Sequence, residues 1–175
     1  MTTLSIEGKI QKGAEHKDKG NQYFKNSEHQ KALGEYYNAI LYLTGLDNSK
    51  ISMGVPQANP LSEETKQEIS KLLIATHSNM AACYLKLGKN DKAIASCEKT
   101  LALDDKNAKA MFRKGQACAA LNETGKAIKI IKDAARLAPQ DPGIRATLKQ
   151  LEDQEKQAAA KANDELKKNL QKMAK

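Results

Sequence analysis

The sequence predicts an all-α protein of three helical hairpins closed by a C-terminal helix, on the strength of its residue stock and a repeat of fixed length. Ala, Lys, Leu, Glu and Gln, all good helix formers, dominate, while aromatic residues make up only 4% and tryptophan is absent. The repeat emerges when Ala81, Tyr84, Ala93 and Leu101 are set beside Gly115, Cys118, Ala127 and Ala135: small or apolar residues recur 34 positions apart. Gly20, Tyr23, Ala32, Tyr36 and Ala39 hold the same internal offsets upstream. Units are therefore expected at about 13–46, 74–107 and 108–141.

The residue types suit those offsets. Small residues on each first helix (Gly20, Ala81, Gly115) and each second helix (Ala32, Ala93, Ala127) let an antiparallel pair approach closely, and Tyr23, Tyr36, Tyr84 and Ile131 fill the space between. Short polar turns, Lys25 to Ser27, Gly88 to Asp91 and Asn122 to Gly125, join the two helices of each pair, and Ser27 with Gln30 has the form of a capping box.

Outside the frame, residues 1–12 read as an N-terminal arm. Residues 47–62, with Asn48, Gly54, Pro56, Asn59 and Pro60, read as a loop inserted after the first unit. Ser62 followed by Glu63 and Glu64 starts a helix, its acids placed at the positive dipole end, and no breaker appears before Gly88, so the first helix of the second unit is extended. Pro139 follows the last turn of the third unit harmlessly. Asp141 and Pro142 then open a capping helix with the apolar stripe Ile144, Leu148, Leu151. Residues 142–175 form the C-terminal segment. Beyond Glu155 only Leu166, Leu170 and Met173 offer apolar anchors, which predicts a helix projecting into solvent.

Charge and chemistry narrow the function classes. Lysine and arginine exceed aspartate and glutamate by 29 to 21, a formal charge of +8 that favours an acidic partner. Cys83, Cys97 and Cys118 make neither a disulfide framework nor a zinc-like spacing, which points to a reducing, cytoplasmic setting. No apolar run approaches a membrane span, and Met1 to Gln11 lacks the apolar core of a signal peptide, so no membrane partner is expected. His16 and His77 fall at packing positions, His29 is expected to be exposed, and the cysteines sit at core offsets as small apolar residues. No nucleophile and base share a helical face. No catalytic residue, metal site or cofactor is expected, and the chain does not read as an enzyme. The lysine-rich end, with Lys161, Lys167, Lys168, Lys172 and Lys175, has interleaved acids and no aromatic platform; it reads as a solvated helix, not a nucleic-acid footprint. A monomer is expected.

One constellation carries function. Lys17 and Asn21 stand four residues apart and share a helix face, as do Lys109 and Arg113, while Asn79 and Arg113 hold equivalent positions in neighbouring units. If the hairpins stack, their first helices aim three cations and two amides at one groove. The 34-residue frame is that of the tetratricopeptide repeat. Lys17 and Asn21 in KDKGN, Asn79 in HSNMAACY, and Lys109 and Arg113 in KAMFRKG resemble the dicarboxylate clamp of chaperone-binding members of that family. The loop after the first unit is similar to that of large immunophilins and of the tetratricopeptide repeat protein 9 family. The resemblance implies a right-handed superhelix of three hairpins whose groove holds the C-terminal EEVD peptide of Hsp90 or Hsp70. In that family the clamp grips the terminal carboxylate and the last aspartate side chain. Lys86, seven residues beyond Asn79, is a candidate secondary contact to an upstream acid of the peptide. No isomerase domain precedes the repeats, so a whole immunophilin is not expected. The alternative is a repeat scaffold that binds another protein without using the clamp.

Overall fold

Four of the helices among the described residues start where a side-chain oxygen accepts the unpaired N–H groups of a first turn. The computed structural model describes residues 4–44, 46 and 61–173, and these described residues form seven helices: α1 (Ile6–Lys25), α2 (His29–Leu43), α3 (Glu63–Lys86), α4 (Asn90–Leu103), α5 (Ala108–Ala120), α6 (Thr124–Leu137) and α7 (Pro142–Met173). Ser62 caps α3 as expected, accepting from the Thr65 N–H at 3.2 Å, with Glu63 and Glu64 in the first turn. Asp141 caps α7, its Oδ1 accepting from Gly143 and Ile144 at 2.8 and 3.1 Å. Asn107 caps α5 in the same way. Ser5 caps α1, accepting from Gly8 at 3.1 Å, so this helix begins inside the stretch read as an arm.

The three hairpin turns share one design. Ser27, Gly88 and Asn122 adopt left-handed backbone, with φ of 62°, 67° and 63°. The next residue donates its N–H five residues back in each case: Glu28 to Tyr23, Lys89 to Tyr84 and Glu123 to Cys118, all at 2.9 Å. These paired bonds close each first helix as a Schellman motif. They also correct the capping-box reading at Ser27. A residue with φ near +62° terminates α1, so its side chain cannot cap α2, whose N-cap position falls to Glu28 without a side-chain bond. Because left-handed backbone costs a residue with a Cβ about 1 kcal/mol, Ser27→Gly is expected to raise stability by about 0.5–1 kcal/mol. A urea midpoint that falls would contradict this.

The hairpins close on small residues. A Cβ on Gly20 would lie 2.6 Å from the Tyr36 ring, one on Gly115 would lie 2.3 Å from Ile131 Cγ1, and one on Gly13 would lie 2.7 Å from Leu43. Tyr36, Ile131 and Ala81 have no exposed surface. The chain gathers into two compact units, Met1–Lys106 and Asn107–Lys175. The sequence frame treats 13–141 as one domain; the division falls close to the expected boundary between its second and third repeats.

In the first unit, Ile10, Leu43, Leu46 and Ile69 form a buried cluster, with Leu61, Leu72 and Leu73 packed against it. This explains both helix extensions. The added turns of α1 carry Ile10 and those of α3 carry Ile69, which together cover the end of α2. The expected loop at 47–62 lies, for residues 47–60, outside the described residues. In the second unit, α5 and α6 pair around Gly115 and Ile131, and α7 docks through Ile144 and Leu151 with a Lys132–Glu152 ion pair at 2.9 Å. From Asp153 to Met173 every residue of α7 is exposed, including Leu166, Leu170 and Met173.

Candidate functional site

On the first helices of the first unit, two predicted site residues meet. Asn21 on α1 is one turn from Lys17, and Asn79 lies midway along α3. The Asn21 Oδ1 accepts two hydrogen bonds at 2.8 Å, one from Asn79 Nδ2 and one from the Tyr36 hydroxyl. Two donors on one oxygen fix which way the amide points. Each amide nitrogen carries two hydrogens, and Asn79 spends only one on Asn21, so a donor remains for a ligand.

Lys17 is half-buried, and its ammonium lies 3.1 Å from Asp18 Oδ1. The same oxygen receives a long bond, 3.5 Å, from Asn21 Nδ2. Asp18 itself is well exposed. A carboxylate thus already touches both α1 candidates. Neither Tyr36 nor Asp18 was singled out for function by sequence reasoning. Tyr36 reads there as filler, since spacing says nothing about where a buried ring sends its hydroxyl. Tyr36→Phe is expected to keep the hairpin packed and to weaken any ligand held by Asn21 about threefold to tenfold; an unchanged affinity would show that the hydroxyl does not position the amide.

The remaining candidates lie elsewhere. Lys109 and Arg113 stand one turn apart on α5 in the second unit. Lys109 is exposed and pairs with no carboxylate among the described residues, whereas Arg113 is half-buried. Lys86 is exposed in the last turn of α3.

Other titratable groups serve packing. His16 Nδ1 bonds Glu35 Oε2 at 2.6 Å and its ring stacks on Tyr42. Lys19 at 2.7 Å, followed by His16, holds the Glu35 carboxyl below its ordinary range against the opposing effect of burial. The three cysteines are buried, and burial pushes the Cys118 thiol up, away from the reactive thiolate. His29, expected to be exposed, is instead half-buried against Phe24, because the tight turn at Ser27 returns the first residue of α2 over the end of α1. Among the described residues no cluster of His, Cys, Asp or Glu could hold a metal ion, and no helix is long and apolar enough to cross a membrane.

His77 is buried as expected, and burial, with Lys99 nearby, lowers its pKa to about 4. The folded state resists a proton that the unfolded chain accepts near pH 6.5, so this contribution is complete above pH 6.5 and is lost as pH falls toward 4. Between pH 6.5 and 5 the loss is expected to reach about 2 kcal/mol. Urea unfolding should show it in the native chain and not in His77→Gln; equal slopes in both would assign the effect to other groups.

The tetratricopeptide repeat family model matches residues 81–142. Peptidyl-prolyl cis-trans isomerase FKBP42 of Arabidopsis thaliana is 33% identical over 87% of this chain, which spans only 39% of that relative's length. Among solved structures, the C-terminal TPR-containing domain of a Plasmodium falciparum FK506-binding protein matches with a TM-score of 0.75 at 24% identity, over 90% of this chain and 97% of that one. The myosin chaperone UNC-45 of C. elegans, solved in complex with an Hsp90 peptide, matches with a TM-score of 0.61 at 28% identity, over 88% of this chain and 14% of that one. The hairpin period, the Schellman turns and these likenesses agree: residues 81–142 match the tetratricopeptide repeat, and the chain is similar in sequence to an FKBP42 isomerase and in fold to the TPR-containing domain of an FK506-binding protein.

Proposed function

We propose that the chain is a protein-binding adaptor or co-chaperone that holds the acidic C-terminal EEVD-type peptide of Hsp90 or Hsp70. Lys17, Asn21, Asn79, Lys109 and Arg113 are its carboxylate contacts, and Lys86 serves an upstream acid. The observation that carries this reading is the Tyr36–Asn21–Asn79 network, which orients two amides beside a lysine that already engages a carboxylate. Lysine and arginine give charge-assisted bonds to the peptide's two carboxylates, and the amides add directed neutral ones. UNC-45, which is 28% identical, was solved with an Hsp90 peptide, in line with this ligand class. The reading requires Lys109 and Arg113 to meet the same peptide end as Asn21 and Asn79.

The chain performs no reaction of its own in this reading; the isomerase activity named for its full-length relative is not assigned to it. A cytoplasmic setting fits the three buried free cysteines and the cytosolic chaperones whose tails carry this ending.

Calorimetric titration with acetylated MEEVD should give a dissociation constant of about 1 μM, roughly 8 kcal/mol. Amidating the peptide's C-terminus should remove most of that affinity, and added salt should weaken it. Equal binding of the acid and the amide would refute the reading. Protein partners that persist in a pull-down after all five positions are altered would instead support a scaffold that leaves the clamp idle.

A further inference from the structure

A cleft lies in the first unit, away from the asparagine pair. Asn79 faces Asn21, whereas His77, Met80 and Tyr84 leave α3 toward α2 and α4 and line a cleft of about 230 Å³. Ile40 from α2 and Ala95 from α4 give it apolar walls alongside Met80. Its charged groups are both cations. Lys92 and Lys99 stand two turns apart on one face of α4, both line the cleft, and neither pairs with a carboxylate among the described residues. No acidic side chain is among the described lining residues.

Two further observations point to a ligand. The Tyr37 and Tyr84 hydroxyls lie 2.5 Å apart, close enough for one hydrogen bond. A single proton bridges such a pair, so the second hydroxyl hydrogen is left to donate elsewhere. His77 is 8% exposed, and its Nδ1 is buried with no hydrogen-bond partner among the described residues. A buried polar atom left unpaired is unfavourable, a cost that a ligand atom can offset.

We propose that this cleft binds an oxyanion, carboxylate or phosphate, carried on a small apolar group. The anion lies between the Lys92 and Lys99 ammoniums and takes the spare phenol hydrogen, while the apolar part rests on Ile40 and Met80. A purely apolar ligand would leave both lysines unanswered. A cation would meet two like charges and find no carboxylate.

Phenyl phosphate and phenylacetate, added separately to ¹⁵N-labelled full chain, test this, with uncharged benzyl alcohol as the control. Both anions, or one of them, should give saturable amide shifts confined to the segments around Tyr37, His77, Tyr84 and Lys92 to Lys99. Their relative affinity tells a phosphate source from a carboxylate one. Lys92→Gln combined with Lys99→Gln should weaken binding about tenfold. The fold should hold, because both side chains are exposed and pair with no carboxylate among the described residues, and Lys109→Ala should leave this binding unchanged, which separates the cleft from the peptide site. Benzyl alcohol matching the anions would overturn the proposal, as would weak shifts spread over every lysine-bearing surface and unaltered in the double variant.

Discussion

Lys109→Ala should weaken an acetylated MEEVD peptide by about 2 kcal/mol, close to thirtyfold, while leaving thermal unfolding unchanged. The two halves of this expectation have separate causes. Lys109 is exposed and pairs with no carboxylate among the described residues, so truncating it removes nothing that holds α5 in place. In the proposed clamp its loss would leave a peptide carboxylate without a charge-assisted donor, and bonds to charged groups are worth more than neutral ones. Lys86→Ala is the matched comparison. That lysine is also exposed, but it is assigned to an upstream acid at the solvated rim, where an ion pair contributes about 0–1 kcal/mol. Calorimetry on the two variants should rank them in that order; equal effects would mean that the peptide reads general positive charge and not a clamp.

Gly20→Ala should cost about 1–3 kcal/mol of stability, a large effect for one methyl group. The new Cβ would sit 2.6 Å from Tyr36 Cε1, and Tyr36 has no exposed surface into which its ring can retreat. Gly115→Ala meets Ile131 Cγ1 at 2.3 Å and should behave likewise. Gly34→Ala provides the opposite case. Nothing lies within 4 Å of its added methyl, so replacing a helical glycine there should gain about 0.5–1 kcal/mol. Urea denaturation of the three variants checks the sign of each. The Gly20 variant carries a second consequence, because displacing Tyr36 also moves the hydroxyl that orients Asn21. Its peptide affinity should fall even where the protein is fully folded.

Most of the helical framework is readable in the sequence because packing demands repeat with it. Gly20, Ala81 and Gly115 mark close helix approaches, and Ser62 and Asp141 mark helix starts through side chains that can only act locally. Local chemistry misleads where tertiary geometry outbids it. Ser27 and Gln30 fit the capping pattern, yet the hairpin needs a left-handed residue at Ser27, as it does at Gly88 and Asn122. The comparison with Gly88 contains the missing signal, since a glycine 61 positions on marks the same turn. His29 fails as a surface residue for the same reason.

At the candidate site, spacing alone pairs Lys17 with Asn21 and Lys109 with Arg113, because one helical turn is a local rule. That Asn21 and Asn79 share a hydrogen bond, with Tyr36 as the third member, depends on how α1, α2 and α3 pack, and no periodicity encodes it. The Tyr37–Tyr84 contact, and the His77 nitrogen that finds no partner among the described residues, are likewise products of three helices meeting.

Crystallography of the full chain with an acetylated MEEVD peptide tests the central claim most directly. The peptide's terminal carboxylate and last aspartate should lie within hydrogen-bond distance of Asn21, Asn79, Lys17, Lys109 and Arg113, with the Asp18 carboxylate displaced from Lys17. A peptide bound elsewhere, or one whose C-terminal carboxylate touches none of the five, would contradict the account.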